Sequence, residues 1–353
     1  MRALVRKSFT AGDVGLVDMP EPHPGPGQVV LKVVYGGICG SDAKMFKVDI
    51  APGGKFRPPT VMGHEGVGIA VEVGPDVTNV KVGDRVAAET TVQSCGICRF
   101  CRTGNISMCI DRSGLGTRAN GYFAEYVLVA AKGCHVIPEH VDLKAAAVLE
   151  PLGCGVKGMI QQARILPGDV VVVFGPGTIG QCAAQVAKAA GAYVVMVGTP
   201  HSRARLDVAL DLGIDQVLVT GDQDVPKMVM EMTDGYGADL VCEAAGSQAA
   251  FSEGLQCVRK LGQYVIMATP ASYQPAQLDL RWFFSRQIHM VGAVSCDPIS
   301  WDVSMDLLTQ GKVNLTPLVT HVFPLEQWRD AIAQSMSREG IKVLLDPNRK
   351  KEA

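Results

Sequence analysis

Asp169-Val170-Val171-Val172-Val173-Phe174-Gly175-Pro176-Gly177-Thr178-Ile179-Gly180 is the stretch from which the rest of this chain can be read. Five apolar residues in a row suit a parallel strand buried on both faces. After them Ile179, Cys182, Ala183, Val186, Ala187 and Ala190 recur at helical spacing, and Gly191 supplies a stop. The prediction is therefore strand, tight turn, helix. In that turn Gly175 allows the chain to reverse, Gly177 lets a pyrophosphate approach the backbone and Gly180 lets the helix pack close to the sheet. Thr178 and Ile179 open the helix, whose unpaired N–H groups and positive dipole end face the phosphates. Gly175, Gly177, Thr178, Ile179 and Gly180 are thus the expected dinucleotide turn.

The same rhythm continues outward. Candidate strands at 170–174, 193–197, 216–219, 239–243, 263–267 and 288–292 alternate with helical patterns, as a doubly wound parallel sheet requires. Residues 154–293 are assigned to this dinucleotide-binding (Rossmann) domain. Residues 1–153 instead carry short β-branched runs such as 28–35 and 66–74, turn punctuation over 20–27, and no long amphipathic helix. They read as a β-rich domain. The remainder, 294–353, offers helices at 301–310 and 325–336 and a strand near 318–323; too small to stand alone, it is expected to complete the first domain, with 348–353 a solvated tail.

At 353 residues the chain fits two domains, and 47% hydrophobic with 19% charged residues is the balance of a soluble globular, enzyme-sized protein. A formal net charge of -2 gives no footprint for nucleic acid or an anionic membrane. Charge enters the N-terminal segment at Arg2 and Arg6-Lys7, too early for a signal sequence, so a cytoplasmic location is expected. The 11 cysteines are an awkward, odd number for a disulfide framework, and four of them crowd into one short segment.

Those four form Cys95-x-x-Cys98-x-x-Cys101 followed by Cys109, on a loop with Gly96 and Gly104. Four thiolates close a tetrahedral zinc and leave no place for substrate, so the expected role is structural. A second set is dispersed: Cys39 before Gly40-Ser41-Asp42, His64-Glu65 between glycines, and Glu150 before Pro151. Singly each is unremarkable. Together one thiolate, one imidazole and one or two carboxylates are the donors of a catalytic zinc that keeps a position open.

The order Cys39-Gly40-Ser41-Asp42, Gly63-His64-Glu65-Gly66, the four-cysteine lobe, Glu150-Pro151-Leu152 and the glycine turn resembles the zinc-dependent medium-chain alcohol dehydrogenases over nearly the whole chain. Glu150-Pro151-Leu152, Pro317-Leu318-Val319-Thr320-His321 and Ile341-Lys342-Val343-Leu344-Leu345 are most similar to the polyol (sorbitol-type) and threonine dehydrogenase branch. The resemblance implies a GroES-like catalytic domain, a Rossmann domain, an active site in the cleft between them, and a homotetramer or homodimer. It implies hydride transfer between a secondary alcohol and a nicotinamide, with zinc as Lewis acid and reversible ketone reduction.

By the same resemblance Ser41 is the hydroxyl of a proton relay whose next member, three places on, is a histidine in many relatives and Lys44 here; a solvated lysine is a poor acceptor at neutral pH. Glu65 and Glu150 compete for the metal, and both are kept. No acid stands near Gly198 to hold a ribose 2′-hydroxyl; the glycine leaves room for a 2′-phosphate, beside Thr199, that Arg203 or Arg205 would contact, which favours NADP over NAD. Polyols, sugar-derived alcohols, amino alcohols and ketones all stay open as substrates, and Met45 and Phe46 are read either as an apolar pocket or as plain core packing. The competing classes are a zinc-free quinone or enone reductase and a non-catalytic dinucleotide-binding protein.

Overall fold

The computed structural model describes residues 1–51, 56–268, 277–337 and 339–349. The chain divides into two compact units, Met1–Glu150 with Cys296–Met305 and Val319–Ala353, and Pro151–Ser295 with Asp306–Leu318. Residues 306–318, assigned from sequence to the first domain, group with the second unit. There Leu315 is buried and the Asn314 N–H donates to Gln185 Oε1 at 2.7 Å, contacts that no local pattern announces.

The second unit is built on a six-stranded sheet in the order Gln216–Val219, Tyr193–Gly198, Val170–Phe174, Ala238–Glu243, Val258–Ile266, His289–Gly292. Every neighbouring pair runs parallel. Apolar runs form its centre because both faces are covered: Val172, Phe174, Val195, Val241 and Tyr264 pack with Val225, Val229, Phe251 and Leu255 from flanking helices. The helix Thr178–Ala189 follows the glycine turn and ends at Gly191, whose φ of +92° suits a residue without Cβ. The strand order reverses between Val170–Phe174 and Ala238–Glu243, which places the glycine turn at the switch point where such sheets bind ligands.

The first unit centres on the long strand Gln28–Gly37. One edge pairs antiparallel with Glu65–Val73; the other pairs with Tyr126–Ala130 at its start and Lys342–Asp346 at its end. This register sets Gly37 opposite Glu65 and beside Leu344. The parallel pair Val319–Pro324 and Lys342–Asp346 extends the sheet, and the helix Trp328–Met336, entered through a 3-10 turn at Leu325–Gln327, covers it. The expected helix at 301–310 is observed as Pro298–Thr309.

Phe46 stacks on Trp328 with ring centroids 5.4 Å apart, and Met45 lies in the same cluster with Ile332 and Leu345. Met45 is thus a core residue, and Phe46 is half-buried against the same core. In the expected solvated tail the Asn348 amide donates to Val33 O at 2.7 Å, while residues 350–353 lie outside the described residues. No helix among the described residues is long and apolar enough to cross a membrane.

Candidate active site and metal centres

In the cysteine lobe the chain turns at Gly96 and Gly104, both at positive φ, around the short helix Arg99–Arg102. Sulfur separations are 3.6 Å for Cys95 to Cys109, 3.9 Å for Cys95 to Cys101 and 3.5 Å for Cys98 to Cys101. A zinc–sulfur bond of about 2.3 Å implies a tetrahedral edge of about 3.8 Å, so these sulfurs already stand at ligand spacing. Backbone N–H groups of Cys98 and Cys95 point at Cys95 Sγ (3.3 Å) and Cys109 Sγ (3.4 Å), and the second of these bonds lowers the Cys109 thiol. Backbone hydrogen bonding brings Cys98 down to about 7, while burial and neighbouring thiols push Cys101 up to about 11. The donor set fits a closed zinc.

The dispersed set is assembled by the central sheet. Cys39 follows the strand Gln28–Gly37 and caps the short helix Gly40–Met45; its N–H donates to Asp42 Oδ2 at 2.9 Å. Glu65 begins the neighbouring strand and His64 immediately precedes it, after Gly63 at φ +86°. A Cβ at Gly63 would stand 2.4 Å from the Phe123 ring, so glycine is required to bring the His64 backbone in. Donor atoms of Cys39, His64 and Glu65 all lie within 4.8 Å of one another. Sulfur, nitrogen and oxygen at that spacing fit zinc with a position left for a further ligand.

Glu150, on the helix Leu149–Val156, is buried but stands outside this triplet: its Oε1 is 3.9 Å from Cys296 Sγ, which accepts the Trp301 indole N–H at 3.1 Å. Ser41 is exposed on the helix behind Cys39, and Lys44 lies half-buried on the same helix.

Two residues given no role from sequence belong to this centre. Asp42, fully buried, has Oδ1 3.7 Å from His64 Nδ1. Burial alone would lower the His64 imidazole, but Asp42 and Cys39 outweigh it and raise it well above its ordinary value. Lys342, also buried, donates to Glu65 Oε2 and to Ile38 O (3.0 Å). Burial would lower this ammonium as well, yet the charges of Glu65, Cys39 and Glu150 raise it. A lone lysine inside the apolar run Ile341–Leu345 was the available signal.

In the second unit, Gly175 sits at φ +99° with Ala245 N 2.7 Å from where a Cβ would stand, and a Cβ on Gly180 would meet Gly175 O at 1.9 Å. Both glycines are dictated by close packing. A Cβ on Gly177 would meet nothing, which leaves the backbone there open to a phosphate. At Gly198 a Cβ would stand 2.6 Å from Ser202 Oγ and 3.0 Å from Leu206 Cδ1, so close packing of the following helix also requires glycine here. Thr199 N–H donates to Ser202 Oγ at 2.8 Å, Arg203 pairs with Asp222 at the surface, and Arg205 O accepts from Gln181 Nε2.

Residues 25–139 match the family model of the alcohol dehydrogenase GroES-like domain, and residues 178–310 that of the zinc-binding dehydrogenases. The chain is 40% identical to the sorbitol dehydrogenase of Halalkalibacterium halodurans over 98% of its own length and 99% of the relative's. It belongs to the zinc-dependent medium-chain alcohol dehydrogenases, in the polyol and threonine dehydrogenase branch. Within this dehydrogenase family it is also 37% identical to the D-arabitol-phosphate dehydrogenase of Enterococcus avium, covering 99% of this chain and 98% of that one. A zinc-binding-dehydrogenase structure from Sinorhizobium meliloti bound to NADP superposes with a TM-score of 0.89 at 26% identity, over 98% of this chain and 99% of the other. The chain is thus an NAD(P)-dependent zinc-type dehydrogenase with a GroES-like unit and a Rossmann unit.

Proposed function

We propose that this dehydrogenase transfers hydride reversibly between a secondary alcohol of the polyol, sugar-derived or amino-alcohol class and NADP in preference to NAD. The observation that carries the reading is the convergence of Cys39, His64 and Glu65 from separate segments to within 4.8 Å, in a chain that also builds the open glycine turn at Gly177. The names of the sorbitol and D-arabitol-phosphate dehydrogenases support the polyol class.

When bound, zinc supplies a Lewis acid that makes an alcohol hydroxyl acidic, and the nicotinamide accepts hydride. Cys39, His64 and Glu65 would hold that metal, with Glu150 as the reserve carboxylate, and Cys95, Cys98, Cys101 and Cys109 would hold a structural one. Asp42 orients the His64 ring and fixes which nitrogen faces the donors. Ser41, exposed beside Cys39, takes the proton of the substrate hydroxyl and passes it toward solvent; Lys44 lies further along the same helix.

Gly175, Gly177, Thr178, Ile179 and Gly180 receive the pyrophosphate. The preference for NADP is supported by the lack of an acidic side chain at the end of the strand Tyr193–Gly198, by the hydroxyls of Thr199 and Ser202, and by Arg203. The Arg203–Asp222 pair is exposed, and such pairs are weak enough for a phosphate to displace. Arg205 follows two residues later on the same helix, Arg203–Asp211.

The test is a screen of polyols, amino alcohols and the corresponding ketones with both cofactors, on protein whose zinc has been counted. Turnover with zinc at each of the two centres and higher kcat/KM with NADP is the expected result. Full activity without metal at the Cys39 centre would replace this reading with a zinc-free reductase, and higher kcat/KM with NAD would overturn the cofactor preference. Family membership also leads us to infer a homodimer or homotetramer, which light scattering would check.

A further inference from the structure

The mechanism above leaves one buried charge unused. Lys342 reaches from the strand Lys342–Asp346 with a side chain only 3% exposed, and its ammonium touches Glu65 Oε2 and, at 3.0 Å, Ile38 O. Room for this contact depends on Gly37, the cross-strand partner of Glu65. A Cβ there would stand 2.6 Å from Glu65 Oε2, so any other residue would push the carboxylate off the ammonium. The donor triplet thus has a resident cation: the ammonium is in contact with Glu65 and is held at the carbonyl of Ile38, the residue before Cys39.

We propose that Lys342 is a built-in counter-cation of the Cys39–His64–Glu65 centre, a positioning residue that balances the donors' charge while no metal is bound and keeps Glu65 Oε2 engaged when one is. The proposal rests on the reading of those three residues as metal donors. Two consequences follow from elementary electrostatics. Without metal, the buried Glu65 carboxylate is not left as an uncompensated charge that would drive it out of position, because a positive charge already lies against it. With metal, the dication meets a like charge and a carboxylate with one oxygen already committed, so it is held less tightly and stays more electrophilic than the donors alone would leave it.

The test compares wild type with Lys342→Gln and Lys342→Arg by cobalt and zinc titration against a chelator, using the cobalt absorption spectrum to separate a one-thiolate site from a four-thiolate site. Lys342→Gln is expected to bind metal at the one-thiolate site on the order of tenfold more tightly and to melt at lower temperature when metal-free. Lys342→Arg, which keeps the charge, is expected to stay near wild type. A merely structural lysine would give the opposite sign, because loosening the strand weakens the donors' geometry. If the metal-free Gln variant does not hold its fold, the release rate from the zinc-loaded variant reads the same quantity, with slower release expected. Unchanged or weaker binding, or unchanged or faster release, overturns the role of Lys342 alone. A wild-type protein that takes up no metal at the one-thiolate site overturns this inference and the donor assignment together.

Discussion

Cys95, Cys98, Cys101 and Cys109 lie close together in sequence and gather around their own turns, whereas Cys39, His64 and Glu65 are brought together by pairing between the strands Gln28–Gly37 and Glu65–Val73. The first cluster is a loop that makes its own site. The second is a by-product of sheet register, and it inherits the sheet's rigidity. Charge separates them further. Four thiolates would neutralise a dication twice over and close its coordination shell, while the dispersed set has fewer anions, a buried ammonium against one of them, and a place left over. Rigidity with an incomplete shell is what chemistry at a metal needs; a full shell is what a loop without a core needs.

That contrast can be broken at several points. The largest effect is expected from His64→Ala: loss of metal from the dispersed centre and a fall in kcat/KM of about a thousandfold, with the cysteine lobe still loaded. Metal counting alongside steady-state kinetics checks it, and loss of both metals would show that the two centres are not independent. Ser41→Ala should slow the chemical step on the order of a hundredfold with cofactor affinity and metal content unchanged, as a deuterium isotope effect and cofactor titration would read. Cys98→Ser should do the reverse, lowering Tm by several degrees, roughly 2–4 °C per kcal/mol lost, while turnover at moderate temperature is retained.

A pH experiment sharpens the comparison. In metal-free protein His64 titrates above its ordinary value despite burial, because Asp42 and Cys39 favour the imidazolium. Stability from a raised histidine is fully present below its unfolded value and is lost as pH rises through the folded one. Thermal melts with chelator should therefore show Tm falling with rising pH from near neutrality upward, and Asp42→Asn should flatten that dependence. The smallest effect is expected from Arg203→Ala, which should raise the KM for NADP roughly tenfold and leave that for NAD nearly unchanged.

Much of the second unit was legible because its signals are local. Unbroken valine runs announce strands covered on both faces, and the spacing of small residues after Gly180 announces the helix that covers one of them. The cysteine lobe was legible for the same reason. Harder features depend on distance along the chain. Lys342 and Ile38 are 304 positions apart, and nothing near either residue says that they meet. At Gly198 a missing side chain reads as empty space, while the packing of Ser202 and Leu206 against that position is visible only in the fold. Phe46 stayed ambiguous because an aromatic beside a candidate site is indistinguishable in sequence from one that stacks on a distant Trp328.

The strand Lys342–Asp346 also orders events during synthesis. Its partner Gln28–Gly37 emerges from the ribosome some 300 residues earlier and must wait with one edge uncovered at Gly36 and Gly37 until Leu345 and Leu344 arrive. The strands of the parallel sheet, Val170 to Gly292, are all made before then. Cys39, His64 and Glu65 are thus all synthesised long before Lys342, and the ammonium that sits against Glu65 is the last of these groups to be delivered.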